Sequence, residues 1–252
     1  MTQSILRGLA AFAASTALLL AQKPKSNDEI KAIQAVMAAQ SADDKIKAVE
    51  ELIAKFADTE FKDWAFSVAG EAASSKRPAD NVKALFYYEQ AIKTNPKNHN
   101  AYLMSAGIIA QTTKEFDLDK EEKLGKAEKY AKMGLELAPA AVKPNPNITD
   151  EQWSSIKKDD IAQGHVDLGL IAIVRKKYDV AISEYKTASE GVDTPDSTIM
   201  LRLGGAQVDG GKYDDGIATL DKVLALPNLN AQIKTIAEAE KARAAKLKAG
   251  AK

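Results

Sequence analysis

Apolar residues along this chain recur at intervals of three and four, the spacing that gathers them on one face of an α-helix. Ile30, Ile33, Val36 and Met37 form one such face, and Ile46, Val49, Leu52, Ile53 and Phe56 form a second, with Gln40-Ser41 between them. A two-helix unit of this kind then returns down the chain. No run of Val, Ile or Thr alternates with polar residues at period two, so no strand is expected. One segment departs from the amphipathic pattern. Gly8–Ala21 reads GLAAFAASTALLLA and is apolar on all sides, and Arg7 is the only charged side chain before Lys23.

A short basic start, an apolar core of about 7–15 residues and a small residue at the exit describe a secretory signal peptide. Residues 1–21 are therefore expected to be removed after Ala21, giving an exported protein, periplasmic or secreted. The apolar run is shorter than the roughly 20 residues that a spanning helix needs. The alternative is an uncleaved N-terminus that anchors the protein in the inner membrane.

The repeat is sharpest toward the C-terminus. Leu168 and Leu203, Gly169 and Gly204, Tyr178 and Tyr213, and Ala181 and Gly216 are each 35 positions apart. A period near 34 with Leu-Gly in the first half, A-x3-aromatic in the second and a closing Pro resembles the tetratricopeptide repeat (TPR) pattern. Ala181 with Tyr185 fits the A-x3-aromatic step, as does Ala84 with Tyr88, followed by Ala91 and Pro96. A third unit carries Ala127, Gly134, Leu135 and Pro139, and Gly70 and Gly107 match the first glycine. The pattern's Trp is absent from the two best repeats, where His165 and Met200 stand.

The resemblance implies an all-α fold: an α-solenoid of about five TPR-like helix–turn–helix pairs over residues 22–252. The pairs are placed at 26–57, 58–97, 98–140, 149–193 and 194–228, with a C-terminal capping helix at 229–249. One pair cannot bury its own apolar faces, so neighbours must stack and the last must be covered. Two features should disturb the stacking. Glu115–Lys120 is an insertion inside the third pair, and Ala141–Ile148, with two prolines, is expected to break the array. Thr149 or Asp150 would then cap a short extra helix through Trp153 and Ile156.

Composition narrows the chemistry. Lys+Arg 35 balance Asp+Glu 35, so the basic excess of a nucleic-acid binder is missing. With no cysteine, thiolate catalysis and Cys-ligated metals are excluded. His99 and His165 lie in different repeats and form no H-x3-H or H-E-x2-H motif; they read as a turn residue and a packing residue. The acidic run Asp117–Glu121 lacks the glycine and distant Glu of a calcium loop. Gly204-Gly205 and Gly210-Gly211 follow no strand and precede no Lys-Ser/Thr, so they are not a phosphate cradle. No enzyme activity, cofactor or metal is expected.

What remains is a protein-interaction module, an adaptor or scaffold of the bacterial cell envelope whose partners are other proteins or peptides. The alternative is a structural component that assembles with itself end to end. The family resemblance implies that the first helix of each pair lines a concave groove. Matched repeat by repeat, the groove positions are Trp64, Ser67 and Glu71; Met104, Ile108 and Gln111; Val166, Leu170 and Ile173; and Thr198, Leu201 and Arg202. Trp64 and Arg202 would be anchors at its ends. The competing reading makes the apolar members core between neighbouring repeats. The family's grip on a C-terminal carboxylate is not expected, because Val166, Leu170, Leu201 and Gly205 stand where its Lys and Asn would be.

Overall fold

The computed structural model describes residues 24–144 and 147–250. The expected signal peptide, residues 1–21, lies outside the described residues. Within them the chain forms eleven α-helices and no strand. They are α1 (Asn27–Ala38), α2 (Ala42–Lys55), α3 (Lys62–Ser75), α4 (Asn81–Thr94), α5 (His99–Thr112), α6 (Lys120–Leu137), α7 (Asp150–Val174), α8 (Tyr178–Gly191), α9 (Ser197–Asp209), α10 (Tyr213–Leu224) and α11 (Ala231–Gly250). A single 3-10 turn, Ala138–Ala140, follows α6.

The sequence marks these ends chemically. Ser26, Ser41, Asp80, Asn98, Thr149 and Asp196 each accept a hydrogen bond from a first-turn amide of the helix that follows. Such a cap contributes about 1 kcal/mol. Pro78, Pro96, Pro195 and Pro227 all stand in connections, where the missing N–H costs no helical hydrogen bond.

Each helix packs against its successor, and the core is divided along the array rather than gathered at one centre. One cluster runs from Ile33 and Leu52 through Phe61 and Tyr88 to Ile108. Others join Ile109, Leu124 and Ile171; Val166, Tyr185 and Ala206; and Val208, Leu220 and Ala237. This linear sharing of apolar surface between neighbours is what a solenoid requires. The small residues of the repeat pattern set the approach. A Cβ on Gly70 would meet the Tyr88 ring at 2.9 Å, one on Gly169 the Tyr185 ring at 2.4 Å, and one on Gly204 the Leu220 side chain at 2.9 Å. Ala84, Ala91, Ala127, Ala181 and Ala188 are fully buried on the second helices.

The expected short extra helix does not exist separately. Thr149 does cap, in a reciprocal capping box with Gln152, but the helix it starts is α7, which continues for 25 residues to Val174. Nothing between Ile156 and Ala162 can stop it, since the stretch holds neither Pro nor Gly. Nor does the proline-bearing segment part the array. Trp153 Nε1 donates to the Ala141 carbonyl at 3.1 Å, and Lys157 Nζ donates to the Pro139 carbonyl at 3.1 Å. The added N-terminal turns of α7 thus fold back over the end of α6, and α6 packs directly on α7.

Candidate functional site

The first helices of the second to fifth pairs are α3, α5, α7 and α9, and the glycines Gly70, Gly107, Gly169 and Gly204 put them in a common register. Most candidate residues lie six or three positions before that glycine, or one or four after it. Those spacings trace one stripe of a helix. Side-chain bonds tie the row together. Asn98, the cap of α5, donates to Ser67 Oγ on α3 at 3.1 Å. His99 Nε2 on α5 lies 3.0 Å from Asp160 Oδ2 on α7. Lys158 on α7 pairs at 2.5 Å with Asp193, which precedes α9.

The stripe is not uniformly open. Glu71 and Gln111 are exposed, as is Thr198. Trp64, Met104, Leu170, Ile173 and Leu201 are half-buried, each with one side on a core cluster. Trp64 is further held edge-on by Phe61, with ring centroids 6.5 Å apart. Ile108 and Val166 are 9% and 6% exposed and belong to the core. These two stand behind the surface instead of on it, because Ile108 packs into the cluster shared with the preceding helices and Val166 into the cluster shared with α8 and α9. Arg202 is half-buried beside Leu201 and sits two positions before its glycine, one step off the stripe.

That neighbouring register is a feature the sequence reading missed. In the third to fifth pairs it holds Ser105, Asp167 and Arg202. Asp167 is fully buried against Gly107 of α5, where a Cβ would come within 3.0 Å of its Oδ1. Gln163 Nε2 donates to Asp167 Oδ1 at 2.8 Å, and Oδ2 has no hydrogen-bond partner. Burial pushes the Asp167 carboxyl up to about 8, against the opposing pulls of the Gln163 hydrogen bond and the Arg202 charge. Burial likewise pushes the Tyr185 hydroxyl up to about 12, with Arg202 again opposing. Ser105 Oγ is also buried without a partner. The signal available in the sequence was the 35-residue match of Asp167 with Arg202, which puts two opposite charges at one packed register.

The histidines do more than fill space. His165 Nδ1 lies 2.7 Å from Glu184 Oε2 on α8, so both histidines bridge α7 to a neighbouring helix through a carboxylate. The insertion in the third pair is a hydrogen-bonded loop, with the Lys114 amide donating to Asp117 Oδ2 at 3.0 Å. It turns Phe116 and Leu118 fully outward. No group of three metal-ligating side chains occurs among the described residues.

No family model matches the chain, and no curated protein matches it by sequence. Among solved structures it is similar to a thermophilic TPR protein from Thermus thermophilus, with a TM-score of 0.56 and 14% identity. The likeness covers 79% of this chain and 90% of the other. The fold is a TPR-like α-solenoid.

Proposed function

We propose that this chain is a protein-binding module, an adaptor or scaffold, that receives a peptide or a partner surface along the row formed by α3, α5, α7 and α9. The supporting observation is the single stripe of those four helices. Half-buried Trp64, Met104, Leu170 and Leu201 alternate along it with exposed Glu71 and Gln111, and Arg202 stands at its edge. Half-exposed apolar groups with a polar margin, including a Trp and an Arg, have the composition of a binding surface. Ile108 and Val166 act as its floor. Because apolar contacts dominate, binding should depend only weakly on salt.

The place of action in this reading is the bacterial cell envelope, reached by export and loss of residues 1–21. Intact mass of protein from the exported fraction tests that part: a mass that still includes Met1–Ala21 refutes it. The binding surface is tested by a photo-crosslinking residue in place of Gln111 on α5, with the same residue in place of Lys186 on α8 as the control. Defined adducts at 111 and none at 186 support the reading. Adducts of equal yield at both positions, or none at 111 under conditions where the protein is folded, refute it.

A further inference from the structure

The chain has two histidines, and both are spent on α7: His99 of α5 reaches Asp160, and His165 reaches Glu184 of α8. Just beyond these two bridges along α7, the Asp167 carboxyl is packed onto Gly107 of α5, with one oxygen unpartnered. Three side-chain contacts thus hold one helix to its neighbours on both sides. We propose that the α5–α7–α8 junction is a proton-dependent joint of the solenoid, closed on the acid side of neutrality and loosened on the alkaline side.

The Asp167 contact sets the direction. A protonated Asp167 can lie in an apolar seam as a neutral group, whereas its ionised form would need the partner that Oδ2 lacks. Other groups around the seam do not reverse this. Across from Asp167, α5 offers Gly107 and α8 offers the Tyr185 hydroxyl. Arg202 of α9 favours the ionised carboxyl but is outweighed by burial, which holds that carboxyl up to about 8. On the α6 side, Arg175 of α7 binds Glu121 and Glu128 at 3.0 and 2.6 Å, and Lys132 and Arg175 together hold the Glu128 carboxyl below its ordinary range. The sign is therefore definite: the Asp167 contribution is complete below the ordinary carboxyl range and weakens as pH rises toward about 8. The stripe proposed to bind partners crosses this joint, since Met104 is on α5 and Leu170 on α7. The joint itself does not depend on that proposal.

Hydrogen exchange of the full chain between pH 6 and pH 9 reads the joint directly, with α1 and α2 as internal reference. Protection of the α5 and α7 amides, corrected for intrinsic exchange and divided by that of α1 and α2, should fall ten-fold or more across this range. Asp167→Asn should remove most of the fall, and His99→Gln with His165→Gln should leave it in place. An unchanged ratio in the native chain overturns the proposal, and so does an equal fall in Asp167→Asn. If Asp167→Asn does not fold, Asp167→Ser takes its place, and the native series is decisive alone. Photo-crosslinking at position 111 can fail without moving any of these readings, so the two ideas stand or fall separately.

Discussion

The fourth pair, α7 with α8, and the fifth, α9 with α10, share a register 35 positions apart but fill it differently. In the fourth, Gly169 lies under the ring of Tyr185, and Ala181 is the small residue of the facing helix. In the fifth, Gly204 lies under Leu220, and the small position is Gly216, whose Cβ would meet Val208 at 2.6 Å and the Gly204 carbonyl at 3.2 Å. A large rigid ring with an alanine is replaced by a smaller flexible side chain with a second glycine. The repeat therefore keeps a small residue against a large one at this register, and neither the identity nor the summed volume of the pair is fixed; the fifth pair fills less space, and a Cβ on Gly216 would already meet the Gly204 backbone.

The sharpest way to break that comparison is to overfill both pairs alike. Gly169→Leu drives a side chain into a fully buried ring that has no free rotamer, and should cost about 3 kcal/mol. Gly204→Leu meets the branched end of Leu220, which can turn aside, and should cost about 1–2 kcal/mol. Urea unfolding of the two variants measures the difference. Equal losses would mean that the ring is no more rigid a wall than the leucine.

The second difference lies at the register two before the glycine, Asp167 in the fourth pair and Arg202 in the fifth. Asp167 has a folded value near 8 against an ordinary one of 3.8, so the folded state binds its proton more tightly than the unfolded state does. Its contribution is fully present below about pH 4 and is lost progressively up to about pH 8. The slope is bounded by about 1.4 kcal/mol per pH unit. Asp167→Asn should therefore be close to neutral at pH 4 and more stable than the native chain at pH 8, by at most about 5 kcal/mol. Arg202→Gln, which removes the one opposing charge, should carry the loss to higher pH in the native background. Chemical denaturation at the two pH values checks both, and a pH-independent difference between Asp167→Asn and the native chain refutes the assignment.

The periodic apolar faces and the recurring Leu-Gly made the helical array and its glycine contacts readable in the sequence, because a close helix approach admits few residues at a fixed place. The candidate stripe was readable as a face for the same reason. Which of its members are covered was not, since that depends on how near neighbouring first helices come. Ile108 disappears into the cluster shared with the preceding helices and Val166 into the one shared with α8 and α9, while Leu201 on α9 stays half open. The length of α7 was hidden by the prolines before it, which mark a turn but say nothing of how far the next helix runs. The bond from Trp153 to Ala141 that heals this turn is long-range and leaves no local pattern.

The smallest difference between the two pairs is in their turns, and it isolates backbone from packing. Both first helices end in the same motif. The Lys177 amide donates to the Ala172 carbonyl and that of Lys212 to the Gln207 carbonyl, each at 2.8 Å, while Lys176 and Gly211 donate to Ile173 and Val208. This double closure requires a left-handed residue after the helix. Gly211 takes it at φ 76°, and Lys176 takes it at φ 58°. For a residue with a Cβ that conformation costs roughly 1–2 kcal/mol, partly offset because glycine gives up more freedom on folding. Gly211→Lys should accordingly destabilise by about 1 kcal/mol, with no side-chain clash to blame, since a Cβ there meets nothing within 4 Å. Lys176→Gly should stabilise by about 0.5 kcal/mol, the gain being trimmed by loss of the half-exposed pair with Glu115. Thermal unfolding of the two single variants and of the double exchange tests the argument. If the turns are equivalent in backbone and independent in contacts, the double variant should equal the sum of the singles to within about 0.5 kcal/mol. A stabilising Gly211→Lys would show that the turn is held by something other than its left-handed residue.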